Sequence, residues 1–236
     1  MKTVLFFLLA AVSMAPLAQA NTQQKIDEVS EILTNNPEIV DSVHTSLRAY
    51  VAQQGSVEAA VKEHYDYMYN NDQHSSFGAE SPKLTIINFT DYSCPWCKKL
   101  DPVLHELTER HPDEVKVVNV YVPIREGHHS ANSANFALNT WLNDREKYAS
   151  LHKMLVEKPG VHNSQSIAHI AKTLDLRQHV DTNPHTDEMI EQNFALFRQL
   201  GIRGTPAMLI EGKVVSGYLP MTKLEPMIVD LLEGKQ

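Results

Sequence analysis

The chain has 236 residues, 21 of them Lys or Arg and 29 Asp or Glu, leaving a formal charge of −8 at pH 7. That acidic balance, with no basic patch, repels a phosphate backbone and excludes nucleic acid as an expected partner. Two cysteines in such a length cannot make the dense staple network of a small secreted scaffold, and the length allows one large domain or one domain with an appendage.

At the start of the chain, Lys2 gives a short positive end, residues 4–12 are an almost unbroken apolar run, and Ala18-Gln19-Ala20 offers small residues at a cleavage point. This layout predicts a secretory signal peptide over residues 1–20, cut near Ala20, whose apolar core is too short for a membrane span. No later stretch is long and apolar enough to cross a bilayer, and no Leu-x-x-Cys marks a lipid anchor, so a soluble exported protein is expected.

Residues 21–68 read as a helical extension. Ile26, Val29, Leu33, Asn36, Val40, Val43, Leu47 and Tyr50 recur every third or fourth position over residues 22–53, an a/d heptad pattern with Asn36 as its polar member. Pro37 interrupts it, which predicts two helices with a bend near Asn36, the second capped by Asn35 or Asn36. Such a stripe could fold back on its own domain. About three and a half heptads exceed what a docking helix needs, so the reading is a homo-oligomerisation stalk. A hinge is expected near Gly55, and Ser56 is expected to cap a further helix to about Met68.

Residues 69–236 read as an α/β domain. A turn-rich lead-in covers 70–81, followed by a buried strand at 83–90, a helix at 96–109 and a second β-rich run at 115–122, the order of a parallel β-α-β unit. From about 126 to 200 nothing resembles a strand, and four apolar groupings, the first around Phe136, Leu138, Trp141 and Leu142, predict a helical insertion. The sheet resumes at 207–210, turns at Glu211-Gly212, returns at 213–216 as a hairpin and closes with a helix at 222–232.

Both cysteines lie in Cys94-Pro95-Trp96-Cys97. A bond between them closes too small a loop to constrain the unfolded chain, so chemistry is the better reason for the pair. Cys94 falls at the start of the predicted helix, where free N–H groups and the helix dipole favour a thiolate, and Pro95 suits the first helical position. Cys94 is therefore expected to be the exposed attacking sulfur and Cys97 the shielded resolving thiol. A zinc site built on the pair would need His128 and His129 as further ligands, and the Pro-Trp interior fits a redox site better. The remaining histidines, His152, His162, His169, His179 and His185 among them, show no ligand spacing; neither a metal nor a cofactor is expected. Gly204-Thr205-Pro206 precedes a strand, where proline is rare; a cis Thr205–Pro206 bond would leave the Thr205 backbone free to pair with an extended substrate beside Cys94.

Residues 89–99, Phe-Thr-Asp-Tyr-Ser-Cys-Pro-Trp-Cys-Lys-Lys, followed by Gly201-Ile202-Arg203-Gly204-Thr205-Pro206-Ala207, resemble the bacterial disulfide oxidoreductases of the DsbA type. The long extension is similar to the branch that holds the suppressor-of-copper-sensitivity C proteins and the Com1-like surface antigens. The resemblance implies a thioredoxin fold with a helical insertion, a periplasmic location, a Cys94–Cys97 redox disulfide with Cys94 as nucleophile, and a cis Pro206 facing the pair. It implies substrate contacts at Thr205, Pro95 and Trp96; the sequence itself, with Tyr218 between Gly217 and Leu219-Pro220, places that ring near the entry of the last helix, beside the groove. Thr205 before the proline resembles isomerase and reductase members more than the principal oxidase. One departure stands out: six residues before the nucleophile, where the family carries a buried acid, this chain has Asn88, so Cys97 must lose its proton to water, to Asp91 or to a substrate group.

The leading reading is thus a periplasmic thiol–disulfide isomerase or reductase acting on cysteine-containing exported proteins and kept reduced by a membrane redox partner. A dithiol oxidase of the same fold is the alternative within the enzyme class. A copper-binding or chaperone protein using the reduced dithiol, or a surface antigen with vestigial chemistry, are alternatives outside it.

Overall fold

The structure is a computed structural model that describes residues 16–126, 132–181 and 183–234, with side chains from residue 21. The apolar run of the expected signal peptide, and His128 and His129, lie outside the described residues. Two compact units divide between Ala52 and Gln53.

In the first unit, helix α1 (Pro16–Asn35) and a 3-10 turn (Pro37–Ile39) lead into α2 (Val40–Glu63). The break falls at Asn36, whose backbone leaves the helical region before Pro37. Contrary to the sequence expectation, the Asn36 side chain does not cap the turn after it. Its amide donates back to the Ile32 carbonyl at 2.8 Å and so closes α1. Ile26, Val29, Leu47 and Tyr50, members of the heptad stripe, are 51 to 60 % exposed.

The expected helix start at Ser56 is absent, because α2 runs unbroken through Gly55 and Ser56 to Glu63. A glycine inside a helix costs about 1 kcal/mol, and burial of Val57 and Ala60 on the same helix offsets it. A short helix α3 (Tyr65–Tyr69) then buries Met68 completely. Where the sequence suggested only a lead-in, residues Ser76–Gly78 form strand β1, antiparallel to a later strand.

The rest of the sheet has the expected order. Strand β2 (Leu84–Thr90), helix α4 (Pro95–Arg110) and strand β3 (Val115–Tyr121) make the parallel unit, with Leu84 opposite Val115 and Thr90 opposite Tyr121. The insertion holds α5 (Ser133–Asn143), α6 (Arg145–Glu157), α7 (Ser164–Thr173) and α8 (Pro184–Gln199). Strands β4 (Ala207–Ile210) and β5 (Lys213–Ser216) and helix α9 (Met221–Leu232) complete the domain, and the sheet order is β1-β3-β2-β4-β5.

Side-chain alternation in the strands splits the core between the two sheet faces. Leu84 and Ile86 of β2, Val115 and Val117 of β3, and Met208 and Ile210 of β4 pack against Leu100, Leu104 and Leu107 of α4 and Leu224 and Ile228 of α9. Ile87, Phe89, Val118, Val120, Ala207 and Leu209 point the other way, against Val57, Ala60, Met68 and the Leu196-Phe197 end of α8. Burial on both faces explains why these strands read as continuous apolar runs. The insertion has its own core around Phe136, Leu138, Leu151, Leu155 and Ile167, joined by Tyr92 and Tyr121. Gly201, at φ +69, ends α8 by turning its N–H back to the Arg198 carbonyl, and from there the chain runs to Pro206.

Candidate active site

Cys94 sits at the N-cap of α4 with extended backbone, φ −87 and ψ 122, and Pro95 comes next inside the first turn. That is the position the sequence predicts. The Cys94 N–H is held by the Asp91 carbonyl at 2.9 Å, which fixes the tight turn between β2 and α4. Both thiols are free. Across the groove the Thr205–Pro206 bond is cis, as the resemblance implied, and the Cys94 sulfur lies 3.2 Å from the Thr205 carbonyl oxygen over a separation of 111 residues, a contact in which only the protonated thiol donates. The Pro206 carbonyl is in turn anchored by the N–H of Gly217 at 2.8 Å.

Cys94 is not the exposed sulfur that the sequence suggested: it is 5 % accessible, nearly as buried as Cys97 at 4 %. The Thr205–Pro206 segment lies against it, so access runs along the groove between that segment and the exposed Pro95 and Trp96.

The two thiols are driven apart electrostatically. Cys94 is pulled down to about 5, chiefly because the Cys97 thiol donates to its sulfur, aided by the backbone N–H groups of Cys97 and Trp96 and by Thr205, with burial opposing. Cys97 moves the other way, raised first by burial and then by the proton it shares with Cys94 and by that neighbour's negative charge. A proton shared toward the buried sulfur therefore leaves the helix-end sulfur as the anion, the arrangement of an attacking thiolate with a resolving thiol behind it.

Asp91, three residues before Cys94, is 1 % exposed. Its carboxylate accepts the N–H of Ser93 at 2.7 Å and that of Arg125 at 2.9 Å. Burial nevertheless raises it to about 6, with Glu126 and Cys94 adding repulsion. The carboxylate thus fills the local turn-forming role that the sequence left open for it. Asn88 is also buried, but its amide donates to Asn119 on β3 at 2.9 Å and its oxygen has no partner among the described residues.

Around the groove, Trp96 is 56 % exposed and lies 6.0 Å from the ring of Tyr218. The Lys99 ammonium sits 4.7 Å from the Tyr218 centroid and 5.3 Å from that of Trp96. Three residues thereby form one amphipathic wall, placing Tyr218 where the sequence suggested. Lys98 does not lie free on the helix face; its ammonium is held by the carbonyls of Lys158 and of Gly160, the latter at 3.1 Å. Sequence reasoning missed Glu126, which is buried and accepts the hydroxyls of Ser93 and Ser133 and the Ser133 N–H at 2.7 Å. The separation of 33 positions between Ser93 and Glu126 left no sequence signal for it.

Residues 85–229 match the family described as the DSBA-like thioredoxin domain. The chain belongs to that family. Among solved structures, the catalytic domain of Proteus mirabilis ScsC is 31% identical, covers 74% of this chain and 98% of that one, and superposes with a TM-score of 0.68. A periplasmic thioredoxin-like protein of Salmonella enterica serovar Typhimurium is 33% identical over 72% of this chain and 95% of that one, with a TM-score of 0.66. A linker-deletion mutant of P. mirabilis ScsC matches 94% of this chain and all of its own length at 29% identity and a TM-score of 0.71, so the likeness extends into the N-terminal unit. The chain is an ScsC-like member of the family with its thioredoxin fold and helical insertion, a periplasmic thiol–disulfide oxidoreductase whose closely spaced cysteines carry the redox chemistry. No helix among the described residues is long and apolar enough to cross a membrane.

Proposed function

We propose that the protein is a disulfide isomerase and reductase of exported, cysteine-containing proteins, working through Cys94 with Cys97 as resolving thiol and the Thr205–Pro206 edge as the substrate seat. The observation that carries the Cys94 chemistry, in either direction, is the Cys94–Cys97 pair at the N-terminal end of α4 with the two proton affinities pushed apart. The Cys94 thiolate attacks one sulfur of a substrate disulfide; a new S–S bond forms, the old one breaks, and the other substrate sulfur leaves as thiolate. If a substrate thiolate then attacks the substrate half of the mixed disulfide, Cys94 is regenerated and the substrate is isomerised. If Cys97 attacks instead, the substrate leaves reduced and the Cys94–Cys97 disulfide remains for a membrane thiol–disulfide partner to reduce.

Two features support the isomerase direction: Thr205 before the proline, and an exposed apolar heptad stripe suited to holding several copies together, through residues 22–53, around one substrate. Signal cleavage near Ala20, a helical extension over 21–68 and a catalytic domain over 69–236 belong to the same proposal. The depressed Cys94 favours the rival reading, a dithiol oxidase, because a stabilised reduced form makes an oxidising couple.

Refolding of a scrambled-disulfide substrate separates them. The proposal expects isomerisation by the full chain and a loss of at least about tenfold when Val29→Asp and Leu47→Asp break the stripe, with dithiol oxidation unchanged. Equal isomerisation by the two forms overturns the oligomeric reading. Rapid oxidation of reduced substrates with no isomerisation establishes the oxidase.

A further inference from the structure

Further along α4, Asp101 and His105 stand one turn apart, and His152 reaches them from α6. The His152 Nε2 lies 2.9 Å from Asp101 Oδ1, His105 Nε2 lies 3.8 Å from Asp101 Oδ2, and one ligand atom from each residue falls within 4.8 Å of the others. We propose that these three side chains form a binding site for a divalent cation of the zinc class, separate from the dithiol, with a coordination position open to the adjoining cavity.

Ion-sized spacing is the first support. Bonds of about 2.0–2.2 Å in tetrahedral or octahedral geometry hold neighbouring ligand atoms about 3 to 3.5 Å apart. The Asp101–His152 pair already has that spacing. His105, with its side chain 40% exposed, has room to close the remainder.

Orientation of His152 is the second. Its other nitrogen, Nδ1, lies 2.7 Å from the buried Tyr92 hydroxyl, which lies 2.9 Å from that of Tyr121. An ion on Nε2 requires the ring proton on Nδ1, where it donates to the Tyr92 oxygen and leaves the Tyr92 hydroxyl free to donate to Tyr121. A ligating histidine held through its second nitrogen in this way is pre-aimed at the ion.

The third support is the surrounding space. A cavity of about 720 Å³ opens beside the cluster, lined by Asp101, His105 and His152 together with Phe77, Glu106 and Trp141. Two imidazoles and one carboxylate leave a fourth position for water or a small anion from that cavity, the ligand count of an open zinc site. Nitrogen ligands select against calcium and magnesium, which prefer all-oxygen shells. Because Cys94 starts α4 and Asp101 and His105 lie further along it, a bound ion would tie the redox helix to the insertion.

The test uses the full-length protein without a polyhistidine tag, oxidised so that both thiols are tied up in the disulfide. Competition with a chromogenic chelator should give one zinc per chain, undisturbed by millimolar calcium, and cobalt(II) should give the visible absorption of a low-coordinate site. His105→Gln, His152→Gln and Asp101→Asn should each weaken zinc at least tenfold, and saturating zinc should raise the thermal midpoint of the parent but not of His105→Gln. Replacing His128 and His129 by Ala should change nothing. Failure to take up zinc stoichiometrically overturns the proposal, as does uptake that survives His105→Gln and His152→Gln or vanishes with the His128 and His129 replacements. None of these readouts depends on isomerase or oxidase activity.

Discussion

The Cys94 sulfur is held from three sides: by the first N–H groups of α4, by the Cys97 thiol beneath it and by the Thr205 segment across the groove. The first two were legible in the sequence, because a Cys-Pro-x-Cys run at a strand-to-helix boundary fixes both sulfurs relative to one helix end. The third was only suggested by a proline at a strand start and was reached through the resemblance, since no local pattern joins positions 111 residues apart. The route of the Cys97 proton was legible only in outline. Asn88 cannot titrate, and Asp91 is the nearby carboxylate raised to about 6 by burial. Stopped-flow measurement of mixed-disulfide resolution should therefore show a rate that rises through about pH 6, and Asp91→Asn should remove that rise and slow the plateau by at least about tenfold. A profile identical in the two proteins would assign proton transfer to water.

The apolar runs of β2, β3 and β4 identified themselves because both sheet faces are covered. Strand β1 did not: Ser76-Phe77-Gly78 is too short and too rich in turn formers, and pairing with β3 alone makes it a strand. The glycine is needed for that pairing. At φ +96, a Cβ on residue 78 would lie 2.4 Å from the backbone oxygen of Val115, so Gly78→Ala should destabilise the domain by about 2 kcal/mol or more, read from urea unfolding at unchanged slope. A loss below about 0.5 kcal/mol would mean that the edge strand shifts freely. The helix start expected at Ser56 failed for the opposite reason: tertiary burial of Val57 and Ala60 outweighs the helix-breaking tendency of Gly55. The Asp101, His105 and His152 cluster left no mark in the histidine spacing because one ligand is a carboxylate one turn away and another comes from the insertion.

At the scale of the whole molecule, the heptad pattern was read correctly as helical, and the exposure of Ile26, Val29, Leu47 and Tyr50 leaves that stripe ready for a second copy. Light scattering should find the parent chain multimeric and the Val29→Asp, Leu47→Asp form monomeric; a monomeric parent would remove the stalk from the account. The thiolate also makes global stability depend on redox state. A thiol whose folded value lies near 5, below its unfolded value near 9, adds stability to the reduced protein that is fully present above about pH 9 and lost as pH falls through about 5. Urea unfolding of the reduced and oxidised forms should therefore show the reduced form losing stability relative to the oxidised one across that interval.

The most direct test is a thiolate titration of the reduced protein, followed by absorbance at 240 nm and by the rate of alkylation with iodoacetamide, with Cys94→Ser as the blank. The account predicts one sulfur ionising near pH 5, absent from the Cys94→Ser variant, while Cys97 stays protonated through neutrality. A Cys94 that ionises above about pH 8, as an unperturbed thiol does, would contradict it.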